Sequence, residues 1–200
     1  QPYFKYFALA VVPTFFLSIL WANLPVWLYI LTVAATLLQL GGWIFLIKKY
    51  WQIRRRGFSM KHHWHLILFG AAALSMTLKF ILQAVSVLPA LSQLVFGFRP
   101  IVIAYLHLVL LGVYTLFIIG YLFNNNFIPT TKATKAASGC FLLGVILNQS
   151  FLAIQGIAAF NYIPIPYINQ LLLSAAIVLC GSAAWLFILY KGRKYVYVAE

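Results

Sequence analysis

Long, unbroken apolar runs separated by short polar or basic connections set the pattern of this chain. Six runs approach the roughly 20 apolar residues that a bilayer-spanning helix needs: residues 3–22, 25–47, 64–88, 100–123, 137–160 and 167–190. Within them apolar residues are continuous rather than alternating, which excludes a membrane β-barrel. The connections are short. Residues 48–63 (KKYWQIRRRGFSMKHH) are basic and amphipathic, 89–99 form a mixed loop with Gly97 and Arg99, 124–136 are polar, and 161–166 (NYIPIP) make a tight Pro-rich turn. None is long enough for a soluble domain. The pattern predicts an all-α, polytopic membrane protein, with residues 1–200 forming a single bundle of six transmembrane helices.

Composition agrees. The chain is 64% hydrophobic and 8% charged, whereas soluble domains are nearer half apolar and a quarter charged. Fourteen Lys and Arg against one acid, Glu200, give a formal charge of +13. Such an excess in a soluble protein would suggest nucleic acid, but no basic domain outside the membrane is long enough for that. The placement of the charge points to orientation instead. Connection 48–63 holds six Lys/Arg, 124–136 holds two and the tail KGRKYVYVAE holds three, while the opposite side carries only Arg99. Positive residues stay on the cytoplasmic side, so both termini, 48–63 and 124–136 are expected inside, and 89–99 and 161–166 outside. Trp21, Trp27, Trp51, Trp64 and Tyr167 fall near span ends, as interfacial aromatics do.

Small residues at Gly41-Gly42, Gly70 with Ala71–Ala73, Gly112 with Gly120, and Gly181 with Ala183–Ala184 are expected to let helices approach closely. Cys140 and Cys180 lie inside apolar runs, give neither a disulfide framework nor a thiolate metal site, and are expected as small buried hydrophobes. The chain begins QPYFKYF, without Met, and its first run lacks the basic flank and cleavage site of a signal peptide. The expectation is a processed product or part of a longer chain.

Ionisable residues inside a bilayer are costly and mark function. Lys79 lies nine residues before the outer end of its run, and His107 eight residues after Arg99. At about 1.5 Å per residue both are expected roughly 12–14 Å below the outer surface, on consecutive helices of one hairpin. Ser75, Lys79, Gln83 and Ser86 form a polar stripe at helical spacing. His107 and Tyr114, seven apart, are expected on one helix face, with Tyr121 nearby. Gln39, Asn148, Gln149 and Gln155 extend a polar interior. Lys79 has no carboxylate partner in any span, so it must be neutral and hydrogen-bonded to Ser75 and Gln83, reach water, or meet an anion such as a haem propionate, a lipid phosphate or a carboxylate of another polypeptide. His107 is either an interhelical hydrogen-bonding residue or a haem ligand. His62, His63 and His65 (HHWH) are a candidate metal clip, since 62 and 65 share a helical face, or an interfacial patch contacting lipid headgroups; no Cys or acid lies near to complete a site.

The segment YLHLVLLG (105–112) resembles the tenth helix of haem–copper oxidase subunit I, where a His-x-His pair ligates the two haems. FGFRPIVIAYLHLVLLGVYTLFIIGY (96–121) and LKFILQ (78–83) look like the C-terminal half of a twelve-helix oxidase-like membrane family found in Bacteroidota, whose N-terminal half carries motifs of the kind HxHxxxLGW. The resemblance implies the bacterial inner membrane, a haem with His107 as axial ligand, Arg99 and Lys79 facing propionates, and Tyr105 and Tyr114 beside it. It further implies a preceding six-helix half or a second membrane subunit as partner. The pattern is incomplete: Tyr105 stands where the family has its high-spin haem ligand, and no His pair for copper is present. No copper site and no oxygen reduction by this chain alone are therefore expected. Three functions compete: a haem-binding or degenerate oxidase-like membrane protein, a transporter or channel bundle using Lys79, and a non-catalytic subunit of a membrane complex. No acid pair or Ser-His-Asp set supports a hydrolase.

Overall fold

The structure is a computed structural model that describes residues 25–55, 64–88 and 97–196. The predicted first span, 3–22, lies outside the described residues, as do Trp21, His62, His63 and Glu200. The described elements are all helical: α1 (Val26–Arg55), α2 (Trp64–Ser86), α3 (Arg99–His107), a π-helical segment (Leu108–Thr115), α4 (Leu116–Asn124), α5 (Lys132–Phe160) and α6 (Ile168–Val196). The α3–π–α4 stretch is one continuous rod. Five helical segments are thus long and apolar enough to cross a membrane: Val26–Gln52, Trp64–Ser86, Arg99–Asn124, Lys132–Phe160 and Ile168–Lys191.

The chain divides into two compact units, and the division falls within α2, between Ser75 and Met76. In the first unit, α1 starts directly after Pro25, whose carbonyl accepts from Leu28 N and Tyr29 N. Its buried stripe is Leu28, Thr32, Ala35, Thr36 and Gln39, mostly small or polar residues. Small residues allow the close backbone approach on which helix association in lipid depends. The Thr32 and Thr36 hydroxyls donate to the carbonyls of Leu28 and Thr32 one turn back, so neither is left unpaired in an apolar setting. The end of α2 is tied antiparallel to α1 by three hydrogen bonds: Tyr29 Oη to Val87 O at 3.0 Å, Gln83 Nε2 to Gln39 Oε1 at 3.1 Å, and Trp43 Nε1 to Thr77 Oγ1 at 3.0 Å.

The second unit contains the start of α2 and everything from Pro100 onward. Its core gathers Leu68, Leu116, Ile119, Phe123, Ala137, Phe141 and Val145 with Leu179 and Leu186. Helices α5 and α6 pack extensively against each other. A Cβ at Gly144 would lie 3.0 Å from Leu179 Cγ and Cδ2, so this pair closes at a residue without a side chain. Trp64 Nε1 donates to Ser138 Oγ at 2.7 Å, joining α2 to α5.

Several sequence expectations need correction. Helix α5 begins at Lys132, five residues before the apolar run, because Thr131 and Thr134 form a reciprocal cap: Thr134 N donates to Thr131 Oγ1 and Thr131 N to Thr134 Oγ1. Two orphan amide donors of the first turn are thereby satisfied. Gly112 and Gly120 do meet close neighbours, Ser75 and Phe69, but a Cβ at Gly41, Gly70 or Gly181 would meet nothing within 4 Å among the described residues. Cys140 and Cys180 are free and exposed rather than buried. The reason is common to both errors: lipid-facing and core-facing positions of a membrane helix are equally apolar, so an apolar run does not reveal which side packs.

Candidate functional site

His107 is the last residue of α3 and is half-buried. Its Nδ1 lies 2.9 Å from the carbonyl oxygen of Ile103, one turn back. A carbonyl only accepts, so Nδ1 carries the ring proton and the Nε2 lone pair points away from the helix. Among the described residues no group bonds Nε2. Fixing one ring nitrogen on a backbone carbonyl is how proteins orient a metal-ligating imidazole.

The residue after His107 opens the π-helical segment. Leu116 N reaches back five residues to Leu111 O, and Thr115 Oγ1 donates to Leu110 O at 2.8 Å. Such wide turns are rare inside α-helices and are frequent at functional sites. The inner side of this one is held by Gly112, where a Cβ would stand 2.7 Å from Ser75 Oγ. The extra width also undoes a sequence expectation. Tyr114, seven residues beyond His107, would share its face on an α-helix; the π segment rotates it away, and it is 59% exposed. Tyr121 is likewise exposed, while Tyr105 is half-buried.

Helix α5 runs antiparallel beside this rod, with Gly156 against Ile101. Asn148, eight residues before Gly156, is about 12 Å along the axis, which brings it level with the start of the π segment. It is 6% exposed, and among the described residues neither its Nδ2 nor the buried Nε2 of Gln149, next in sequence, has a hydrogen-bond partner. Gln155 is half-buried. The second unit therefore holds a half-buried imidazole with a free acceptor nitrogen, a widened helical turn, and unpaired amide donors at one level of the bundle.

Lys79 and Arg99 belong to the first unit. Arg99 is exposed at the first position of α3. Lys79 is half-buried, with Nζ 4.4 Å from the centroid of the Phe80 ring. One turn onward, Gln83 is 4% exposed and donates to Gln39, but its buried Oε1 has no partner among the described residues. Ser75 and Gln83, the hydrogen-bond partners in one of the alternatives for Lys79, lie against Gly112 and donate to Gln39 respectively. Of the histidine trio only His65 is described, its ring 6.2 Å from that of Phe69. Among the described residues no three His, Cys, Asp or Glu side chains gather.

Sequence reasoning singled out His107, Lys79 and the amides, of which Gln39, Gln83 and Asn148 are buried, but missed the π segment. Its one legible signal was Gly112 flanked by Thr115, a small residue plus a hydroxyl able to cap a freed carbonyl. No protein-family model, no curated protein and no solved structure matches the chain.

Proposed function

We propose that this chain is a multi-pass membrane protein with both termini in the cytoplasm, and that it binds haem through His107 Nε2 as part of a larger oxidase-like or degenerate haem-binding assembly. The observation that carries the reading is the hydrogen bond from His107 Nδ1 to Ile103 O at 2.9 Å. It fixes the tautomer that leaves Nε2 able to ligate iron, on a ring held at the mouth of a π-helical turn. A b-type haem held there would supply one-electron chemistry; the protein's own contribution is to orient the imidazole and keep it in an apolar setting. Because the ring is only half covered, a second chain or a preceding half would complete the enclosure.

The test is absorption spectroscopy of the purified protein, oxidised and reduced, with and without added haem. A Soret band that disappears in His107→Ala supports the assignment. Absence of any haem binding, even with co-purified partner chains, removes it.

A second reading, a transport or channel bundle, has one observation in its favour. Lys79 is a cation inside a span, and the buried, unpaired Oε1 of Gln83 lies one turn away. Intramembrane cations of that kind commonly line ion or proton paths. Proton flux in vesicles abolished by Lys79→Met, with haem absent, would favour it over the first.

A further inference from the structure

The second unit has a recess that neither His107 nor Lys79 touches. It measures about 470 Å³ and is lined by Leu122, Phe127, Ile128, Leu186, Phe187 and Tyr190. That volume is in the range of small-ligand sites, and the lining is apolar apart from one phenol. The recess sits where the turn after α4 meets the last turns of α6. This is also the end of the unit at which its Lys and Arg gather: Lys132 and Lys135 open α5, and Lys191 follows Tyr190 directly. The sequence continues through Arg193 and Lys194. At the opposite end, the α5–α6 turn (161–167) holds no cation.

An apolar slot with one phenol, at the end of the unit where Lys132, Lys135 and Lys191 lie, has the profile of a glycerophospholipid site: acyl chain in the slot, glycerol at its boundary, anionic headgroup toward the basic end. A neutral lipid would fill the slot but leave the cations unused, and a soluble anion would leave the slot unused. We propose that this recess binds one anionic glycerophospholipid of the leaflet facing the basic end, with an acyl chain against Leu122, Leu186 and Phe187 and the phosphate beside Lys191. The binding is short-range and charge-assisted, since an anionic headgroup near a bilayer surface attracts each nearby Lys. This inference rests on the membrane reading above and is independent of haem.

Carbonate extraction of cell membranes tests the membrane reading by itself: release of the chain as a soluble protein ends both. The lipid assignment is tested by native mass spectrometry of the full chain in mild detergent, titrated with phosphatidylglycerol or with phosphatidylcholine of the same chains. The expected result is one retained phosphatidylglycerol per chain, held several-fold more tightly than phosphatidylcholine. Lys191→Gln should weaken phosphatidylglycerol about fivefold, the share of one cation near an anionic surface, with phosphatidylcholine unchanged. Leu122→Trp, which fills the slot, should weaken both lipids. If that variant does not fold, as judged by circular dichroism, the exposed Phe187→Ala removes one wall and should act in the same direction. Equal retention of the two lipids, or retention unchanged by Lys191→Gln or by the slot variants, overturns the proposal.

Discussion

Gly112 and Ser75 meet so closely that a Cβ on Gly112 would stand 2.7 Å from Ser75 Oγ and 3.0 Å from Ser75 Cβ. The contact joins α2 to the widest part of the π-helical segment. A methyl group there must push α2 outward or force the wide turn to close. Gly112→Ala is therefore expected to cost about 1–3 kcal/mol, the usual range for overpacking a tight contact. Thermal unfolding in detergent, followed by circular dichroism, measures it. Ser75→Gly in the same background should recover part of the loss, because it removes the colliding atoms. A Gly112→Ala protein as stable as the parent contradicts the contact.

The bond between Gln83 and Gln39 leads to a less obvious expectation. Deleting it in Gln83→Leu removes an interhelical hydrogen bond, worth on average about 0.6 kcal/mol in membrane bundles. The same substitution deletes Gln83 Oε1, a buried acceptor with no partner, whose desolvation works against the folded state. The two effects oppose each other, and the variant should stay within about 1 kcal/mol of the parent. A loss of several kcal/mol would mean that the cost of leaving Gln39 Oε1 without its donor outweighs the relief from deleting Gln83 Oε1.

The topology proposed here makes a direct prediction in intact cells. Cysteine placed at Lys135 should react with an impermeant maleimide only after the membrane is opened, and cysteine at Ile163 should react from outside, in a background with Cys140 and Cys180 replaced. Both positions are exposed at opposite ends of α5. Labelling of the Lys135 position from outside would reverse the orientation.

The helical spans were legible because hydropathy and length are properties of the sequence alone. Residues 64–88, 100–123 and 167–190 match the spans Trp64–Ser86, Arg99–Asn124 and Ile168–Lys191 to within two residues. The faces were not legible. Cys140, Cys180 and Gly181 read as interior and are exposed, since lipid exerts no selection against apolar surface. Polar residues in a span escape that ambiguity: Gln39, Gln83 and Asn148 were expected inside and are buried. The pairing of His107 with Tyr114 failed for a different reason. It assumed the α-helical period, and the period changes at Leu108, which a run of apolar residues does not signal.

Asn148 provides the most discriminating test of whether the second unit is complete as it stands. Its side chain is 6% exposed, and its Nδ2 has no acceptor among the described residues. An unpaired buried amide costs about 1–3 kcal/mol, and replacing it with an apolar group of similar shape removes that cost. In the isolated chain, Asn148→Leu should therefore raise the thermal midpoint in detergent, corresponding to about 1 kcal/mol. The haem proposal adds an opposite expectation for the loaded protein. Asn148 stands level with the π segment that follows His107, where a ligand or a second chain could supply the missing acceptor. Stability gained by the apo protein on Asn148→Leu, together with weaker haem retention, fits a donor kept for a bound group. A gain in the apo protein with haem retention unchanged places Asn148 outside the haem site. A loss of stability in the isolated chain would show that the amide is already satisfied within it, by an ordered water or a rearranged side chain.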